Sequence, residues 1–279
     1  MKILKTTLLA FAAFAIAVPS IAQEAPDRVK KAGKIVIATM PNYPPITYKE
    51  PATAKLTGFD IELGEAIAKE LGLQPEWQEI TFAQMLPSLQ TGRVDMVMAG
   101  MSDLPARRET ADFVDYMKSG PQFYTIAALA NEIKAPEDLC GKAVGASRST
   151  NWPAQMKAWS DANCVAKGKP AMNVVGTEGS VDARTQLKTQ RLQAAVQGNE
   201  TLPYFQNQEP NTFVVLGAAF GESLSGIPFA KTAEGAQLRD AVKGALERLQ
   251  QKGAYDQLLA KYGLEANALK PVAINQGKG

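Results

Sequence analysis

Apolar positions along the chain fall into short runs and helical stripes that alternate. Lys34-Ile35-Val36-Ile37-Ala38-Thr39-Met40 has the composition of a strand, and Pro41-Asn42-Tyr43-Pro44-Pro45 ends it, because proline cannot continue a hydrogen-bonded ladder. Behind Thr57-Gly58, the residues Phe59, Leu63, Ala66, Ile67 and Leu71 recur at helical spacing. Glu62 and Glu65 sit toward the positive end of that helix's dipole, Lys69 toward the negative end, and Gly72 marks the stop. A second helix is predicted from Thr81, where Thr81 and Gln84 form a capping-box pattern, through Met85, Leu86 and Leu89 to Gly92. Pro87 inside it predicts a bend or a short helix. Val94 onward is another apolar run, which stops in the turn Gly100-Met101-Ser102-Asp103-Leu104-Pro105, just ahead of Arg107 and Arg108.

Strand, helix, strand, helix, strand implies a parallel sheet with right-handed crossovers, whose ligand crevice lies beyond the carboxyl ends of the strands. Tyr43, Phe82 and the Gly100–Arg107 turn all fall at that edge. The pattern then repeats. Strands are predicted at 142–146, 172–175 and 192–196, with helices near 153–161 and 181–189. The carboxyl edge of this second unit carries Ser149, Thr150, Asn151, Glu178 and Glu200. A further strand near 213–216 and the segment Gly226-Ile227-Pro228-Phe229-Ala230 lead to a helix over 234–251 and a shorter one over 255–262, which return to the first unit.

The first residues change the picture of where the chain works. Lys2 and Lys5, the 11-residue apolar run Leu8–Val18 and Pro19-Ser20-Ile21-Ala22 read as an export signal cleaved after Ala22. That run is well below the roughly 20 residues that span a bilayer. Removing 22 of 279 residues leaves 257, enough for two lobes. The signal takes two lysines and no acids, so 28 Lys and Arg then balance 28 Asp and Glu. With no basic cluster larger than Arg28–Lys34, nucleic acid is not an expected partner.

Chemistry is narrowed by what the composition lacks. The chain has no histidine, which argues against Ser-His-Asp hydrolysis, cysteine proteolysis and most zinc sites; neither a metal nor a cofactor is expected. The two cysteines, Cys140 and Cys164, read in an exported protein as a disulfide closing a loop of about 25 residues. Arg107 and Arg108 are either a solvated surface pair or a cation placed where backbone N–H groups and the Ser102 hydroxyl meet a small acid, with guanidinium gripping carboxylate in bidentate fashion. Met40, Met101, Tyr43, Phe82 and Trp152 either pack the core or wall the crevice against an apolar or methylated part of a ligand.

A set of ordered motifs adds a resemblance to this reading. Thr57-Gly58-Phe59-Asp60-Ile61-Glu62-Leu63, Met85-Leu86-Pro87-Ser88-Leu89, Gly92-Arg93-Val94-Asp95, Ala99-Gly100-Met101-Ser102 with Arg107, and Asp138-Leu139-Cys140-Gly141-Lys142-Ala143-Val144-Gly145 together resemble family 3 of the bacterial extracellular solute-binding proteins. The resemblance implies an α/β, two-lobed periplasmic-binding-protein fold with a parallel-rich sheet in each lobe. It also implies two hinge strands, near residues 120 and 223, that let the lobes close on a ligand. Lobe 1 would comprise residues 23–120 plus 224–279 and lobe 2 residues 121–223. The function implied is that of a periplasmic receptor, a monomer, delivering a small carboxylate-bearing solute such as an amino acid to an ABC permease in the inner membrane.

Carried over by position, Arg107 would be the bidentate cation, Gly100 and Ser102 donors from the first lobe, Thr150 and Asn151 donors from the second, and Tyr43 and Phe82 aromatic walls. The chain departs from the pattern where an aspartate usually meets the ligand's α-ammonium, because Gly198 stands there, beside Asn199 and Glu200. Either Glu200, Glu178 or Asp103 replaces that acid, or the ligand has no free α-ammonium. Two other functions are compatible with the resemblance: a lyase like cyclohexadienyl dehydratase, with Glu178 or Glu200 as the acid, and a subunit presenting ligand to a membrane sensor.

Overall fold

A computed structural model describes residues 24–278, so the predicted export signal lies outside the described residues. Four buried clusters form the core. Two draw on residues 25–117 and 227–272, and two on residues 123–216. The molecule is accordingly two-lobed.

In the first lobe Lys34–Thr39 is the central strand, flanked in parallel by Gln74–Glu79 and by the short Met96–Val97. Helix Phe59–Glu70 covers this sheet; of the stripe read from the sequence it buries Phe59, Leu63 and Ile67, leaves Ala66 and Leu71 half-buried, and buries Ala68 besides. In the second lobe the order is Asn173–Thr177, Ala143–Ser147, Ala194–Gly198, Pro121–Ile126, Phe213–Leu216; the first three are parallel and the last two pair antiparallel. Helices Trp152–Asn163 and Ser180–Lys188 are the crossovers of its parallel part. Cys140 and Cys164 are joined by a disulfide that ties the turn before Ala143–Ser147 to the end of helix Trp152–Asn163.

A third sheet, not foreseen as a unit, holds Ala111–Ser119 between Ser223–Ala230 and Ala268–Ile274. Its first two strands lead directly into and out of the second lobe, at Gly120 and at 217–222. A side chain at Gly120 would place its Cβ 2.5 Å from the carbonyl oxygen of Gly221, so glycine is what lets the two crossings touch. The same sheet clamps the turn that carries Arg107. Gly226 donates its N–H to the Met101 carbonyl (2.9 Å) and Asp103 donates to that of Leu224 (2.8 Å).

The second predicted helix differs in detail from expectation. Residues Phe82–Gln84 form a 3-10 turn with no side-chain cap from Thr81, and the α-helix proper is the six residues Met85–Gln90. Pro87 is its third residue, where no intrahelical acceptor is owed an N–H, so the proline shortens the helix without breaking it.

Candidate functional site

Parallel strands of both lobes end at one cavity between them. Met40 follows Lys34–Thr39, Ala99 and Gly100 lie just past Met96–Val97, Ser147 ends Ala143–Ser147, Gly179 follows Asn173–Thr177 and Gln197 sits near the end of Ala194–Gly198. Tyr43, Phe82, Ser102, Arg107, Thr150 and Trp152 complete the wall with Asn42 and Ser180, around about 560 Å³ of space that includes its opening to solvent. This is the edge that the strand–helix alternation predicted.

Among the described residues, Arg107 is the only charged one on that wall. Its Nη1 donates to the Ser102 carbonyl at 2.8 Å, and its guanidinium carbon stands 5.3 Å from the Phe82 ring centroid, within cation-π range. Among the described residues no carboxylate forms an ion pair with it, whereas Arg108 pairs with Asp103 at 2.6 Å. Burial lowers the Arg107 pKa to about 10, opposed by the charge of Asp103, so the group stays protonated at neutral pH. A half-buried cation with free N–H donors facing a cavity is suited to binding an anion.

Several expected donors are committed elsewhere. The Gly100 N–H donates to Asp60 Oδ2 at 2.8 Å, so this glycine shapes the wall instead of offering a hydrogen bond. Its φ is +59°, and an added Cβ would come within 3.2 Å of the Tyr43 ring. The Thr150 hydroxyl donates to the Ser147 carbonyl at 2.7 Å. Asn151 lies at the start of helix Trp152–Asn163 but does not line the cavity. Met101 is buried in the first lobe's core, packed with Ala38, Met85 and Phe113, and takes no part in the wall.

The three acids considered as ammonium acceptors are also occupied. Glu178 is exposed and paired with Arg148 at 2.9 Å. Asp103 accepts from Arg108 and from the Gly277 N–H. Glu200 is buried, and its two oxygens accept from the Tyr43 hydroxyl and the Ser119 hydroxyl, each at 2.8 Å. It lies behind Tyr43 and lines no part of this cavity. Burial raises its pKa against those hydrogen bonds.

Asn42, Ala99, Ser147, Gly179, Ser180 and Gln197 line the cavity without having been singled out in the sequence. For Ser147 and Gln197 the signal was present, because each sits at the carboxyl end of a strand in a parallel sheet. Gln197 is 1% exposed and its Nε2 finds no acceptor among the described residues.

Asp60 anchors this arrangement from below. It is fully buried and accepts from Gly100 and, on its other oxygen, from the Tyr116 hydroxyl at 2.7 Å. Burial lifts its carboxyl to about 7, outweighing both hydrogen bonds. Between pH about 4 and about 7 the unfolded chain has lost this proton and the folded one keeps it, so the group's contribution to stability falls as pH rises. Urea unfolding from pH 4 to 8 should therefore show wild-type stability declining relative to Asp60→Asn across that interval. A difference that does not vary with pH would place the carboxyl at an ordinary value.

The two-lobed fold is shared with known proteins. The arginine-binding protein ArgT of Corynebacterium glutamicum is 27% identical over 259 residues, covering 93% of this chain and 84% of its own. A probable amino-acid ABC transporter-binding protein of Haemophilus influenzae is 30% identical over 213 residues, covering 76% and 77%. Among solved structures, an ancestral amino-acid-binding protein described as a precursor of cyclohexadienyl dehydratase matches with a TM-score of 0.72 at 28% identity, over 85% of this chain and 98% of that one. The family model for bacterial extracellular solute-binding proteins, family 3, matches residues 35–265, and the chain belongs to that family.

Proposed function

We propose that this protein is a periplasmic receptor that holds a small carboxylate-bearing solute between its lobes and presents it to an ABC permease. The observation that carries the carboxylate is Arg107, the lone charge on the cavity wall, with no ion-pair partner among the described residues. Desolvated guanidinium without an acid is costly, and a bidentate carboxylate offsets that cost. Lobe 1 is taken as residues 23–120 plus 224–279 and lobe 2 as residues 121–223, with the strand pair Ala111–Ser119 and Ser223–Ala230 feeding the two crossings. Relatives described as transporter-binding proteins support the permease as partner.

A lyase reading finds no support at the site, since neither Glu178 nor Glu200 reaches the cavity to protonate a leaving group. Arg107→Ala is expected to weaken binding of a carboxylate solute by about 2 kcal/mol or more, roughly 30-fold, when followed by calorimetry. Folding stability should change little, because the removed charge has no acid depending on it. An unaltered dissociation constant would remove Arg107 from the site.

A further inference from the structure

Among the described residues the cavity wall contains a cation and polar groups but no anion: none of those lining it is aspartate or glutamate. An α-amino acid brings one carboxylate and one ammonium into such a space. The carboxylate is matched by Arg107, and the ammonium would be left without a counter-charge in a desolvated cleft, which is strongly unfavourable. The buried carboxylates of the surrounding elements are already engaged, Asp103 by Arg108 and the Gly277 N–H. Glu200 serves Tyr43 and Ser119, and Asp60 serves Gly100 and Tyr116.

Position 198, beside Gln197 on the strand that forms this part of the wall, is closed to a new acid as well. A Cβ on Gly198 would stand 2.2 Å from Glu200 Oε1 and 2.3 Å from the Tyr43 hydroxyl, so those two side chains already fill the space that a longer residue would need. Meanwhile the buried Gln197 amide has an Nε2 without an acceptor among the described residues. A buried donor left unmatched is unfavourable, and with the carboxylate taken by Arg107 the 2-substituent is what distinguishes the ligands: a hydroxyl or keto oxygen can accept from Nε2 where an ammonium, which only donates, cannot.

We infer that the cavity selects a carboxylate with oxygen in place of the amine, a 2-hydroxy or 2-oxo acid, and discriminates against α-amino acids. This rests on the carboxylate reading of Arg107 and narrows it to one ligand class. Of the relatives named above one is described as arginine-binding and the other two as amino-acid transporter-binding and amino-acid-binding, so the inference sets this chain apart from them.

The test is a calorimetric panel of matched acids on protein unfolded, dialysed free of small molecules and refolded. It pairs L-alanine with L-lactate and pyruvate, L-phenylalanine with L-phenyllactate and phenylpyruvate, L-leucine with its 2-hydroxy and 2-oxo analogues, and L-arginine with its 2-hydroxy analogue. In each set that binds, the oxygen-bearing acid should bind at least tenfold more tightly than the amino acid. Glu200→Gln, which keeps an acceptor for Tyr43, should leave that affinity within threefold. An amino acid that binds as tightly as its analogue, with binding lost in Arg107→Ala, overturns the inference and leaves the carboxylate receptor standing. A tenfold loss in Glu200→Gln would likewise overturn it by giving that charge to the ligand. If no member of the panel binds, the carboxylate reading fails and the inference with it.

Discussion

Gly58→Ala should cost the protein roughly 3 kcal/mol or more of folding stability, combining backbone strain with a steric clash. Gly58 precedes helix Phe59–Glu70 with φ +124° and ψ 171°, a conformation essentially confined to glycine. Its missing side chain leaves room for the preceding loop: a Cβ would meet the Ile46 carbonyl oxygen at 2.3 Å and that of Pro45 at 2.9 Å. These are backbone atoms, and both are already in use. Phe59 donates its N–H to Pro45 at 2.9 Å and Asp60 to Ile46 at 3.0 Å, which docks the helix on the loop that carries Tyr43. Making room for a methyl group breaks these bonds and moves Asp60, the anchor of Gly100. For a chain of this size the expected fall in Tm is roughly 6–12 °C. An unchanged transition in Gly58→Ala would show that the loop yields without cost.

Loss of the disulfide is expected to have a comparable effect by another route. Cys140 and Cys164 are 24 positions apart, and in the chain-entropy model a closed loop of that length contributes about 3 kcal/mol by restricting the unfolded ensemble. The native contacts of the double variant Cys140→Ala with Cys164→Ala need change little, so ligand affinity should persist while the urea midpoint falls. The dissociation of the two readouts is the test, since a parallel loss of binding would mean that the bridge shapes the cavity. Wild-type protein with added reductant should reproduce the lower midpoint.

Much of the fold was legible because its elements announce themselves locally. The 3.6-residue stripe of Phe59, Leu63 and Ile67 and a strand expected at 192–196 and found two residues later, at Ala194–Gly198, could be recognised by period and composition, and the crossover rule put their ends at one edge. The place of Arg107 on the cavity wall followed from the same edge rule, but the turn alone left a surface pair equally open for Arg107 and Arg108, and Arg108 is indeed paired with Asp103. What could not be read was the partner of each polar group. Gly100 was expected to donate to a ligand, and it donates to Asp60, 40 residues away. Glu200 was a candidate on the cleft, and it is turned toward Tyr43 and Ser119, which are 157 and 81 positions distant. Such choices are made by tertiary packing, which local periodicity does not encode. The Ala111–Ser119 sheet was missed as a unit for the same reason, because its three strands are brought together from remote parts of the chain.

The Tyr43–Glu200 hydrogen bond joins a residue of the first lobe to one of the second, so any rigid separation of the lobes removes it. A bond of about 1 kcal/mol present in one conformer alone multiplies that conformer's population roughly fivefold relative to its alternatives. The apparent affinity of a ligand that requires the joined form scales with that fraction. Removing the Glu200 acceptor, as in Glu200→Ala, should therefore shift the concentration range over which the receptor responds without altering which molecule it recognises, whereas Glu200→Gln keeps an acceptor for Tyr43 and with it the joined form.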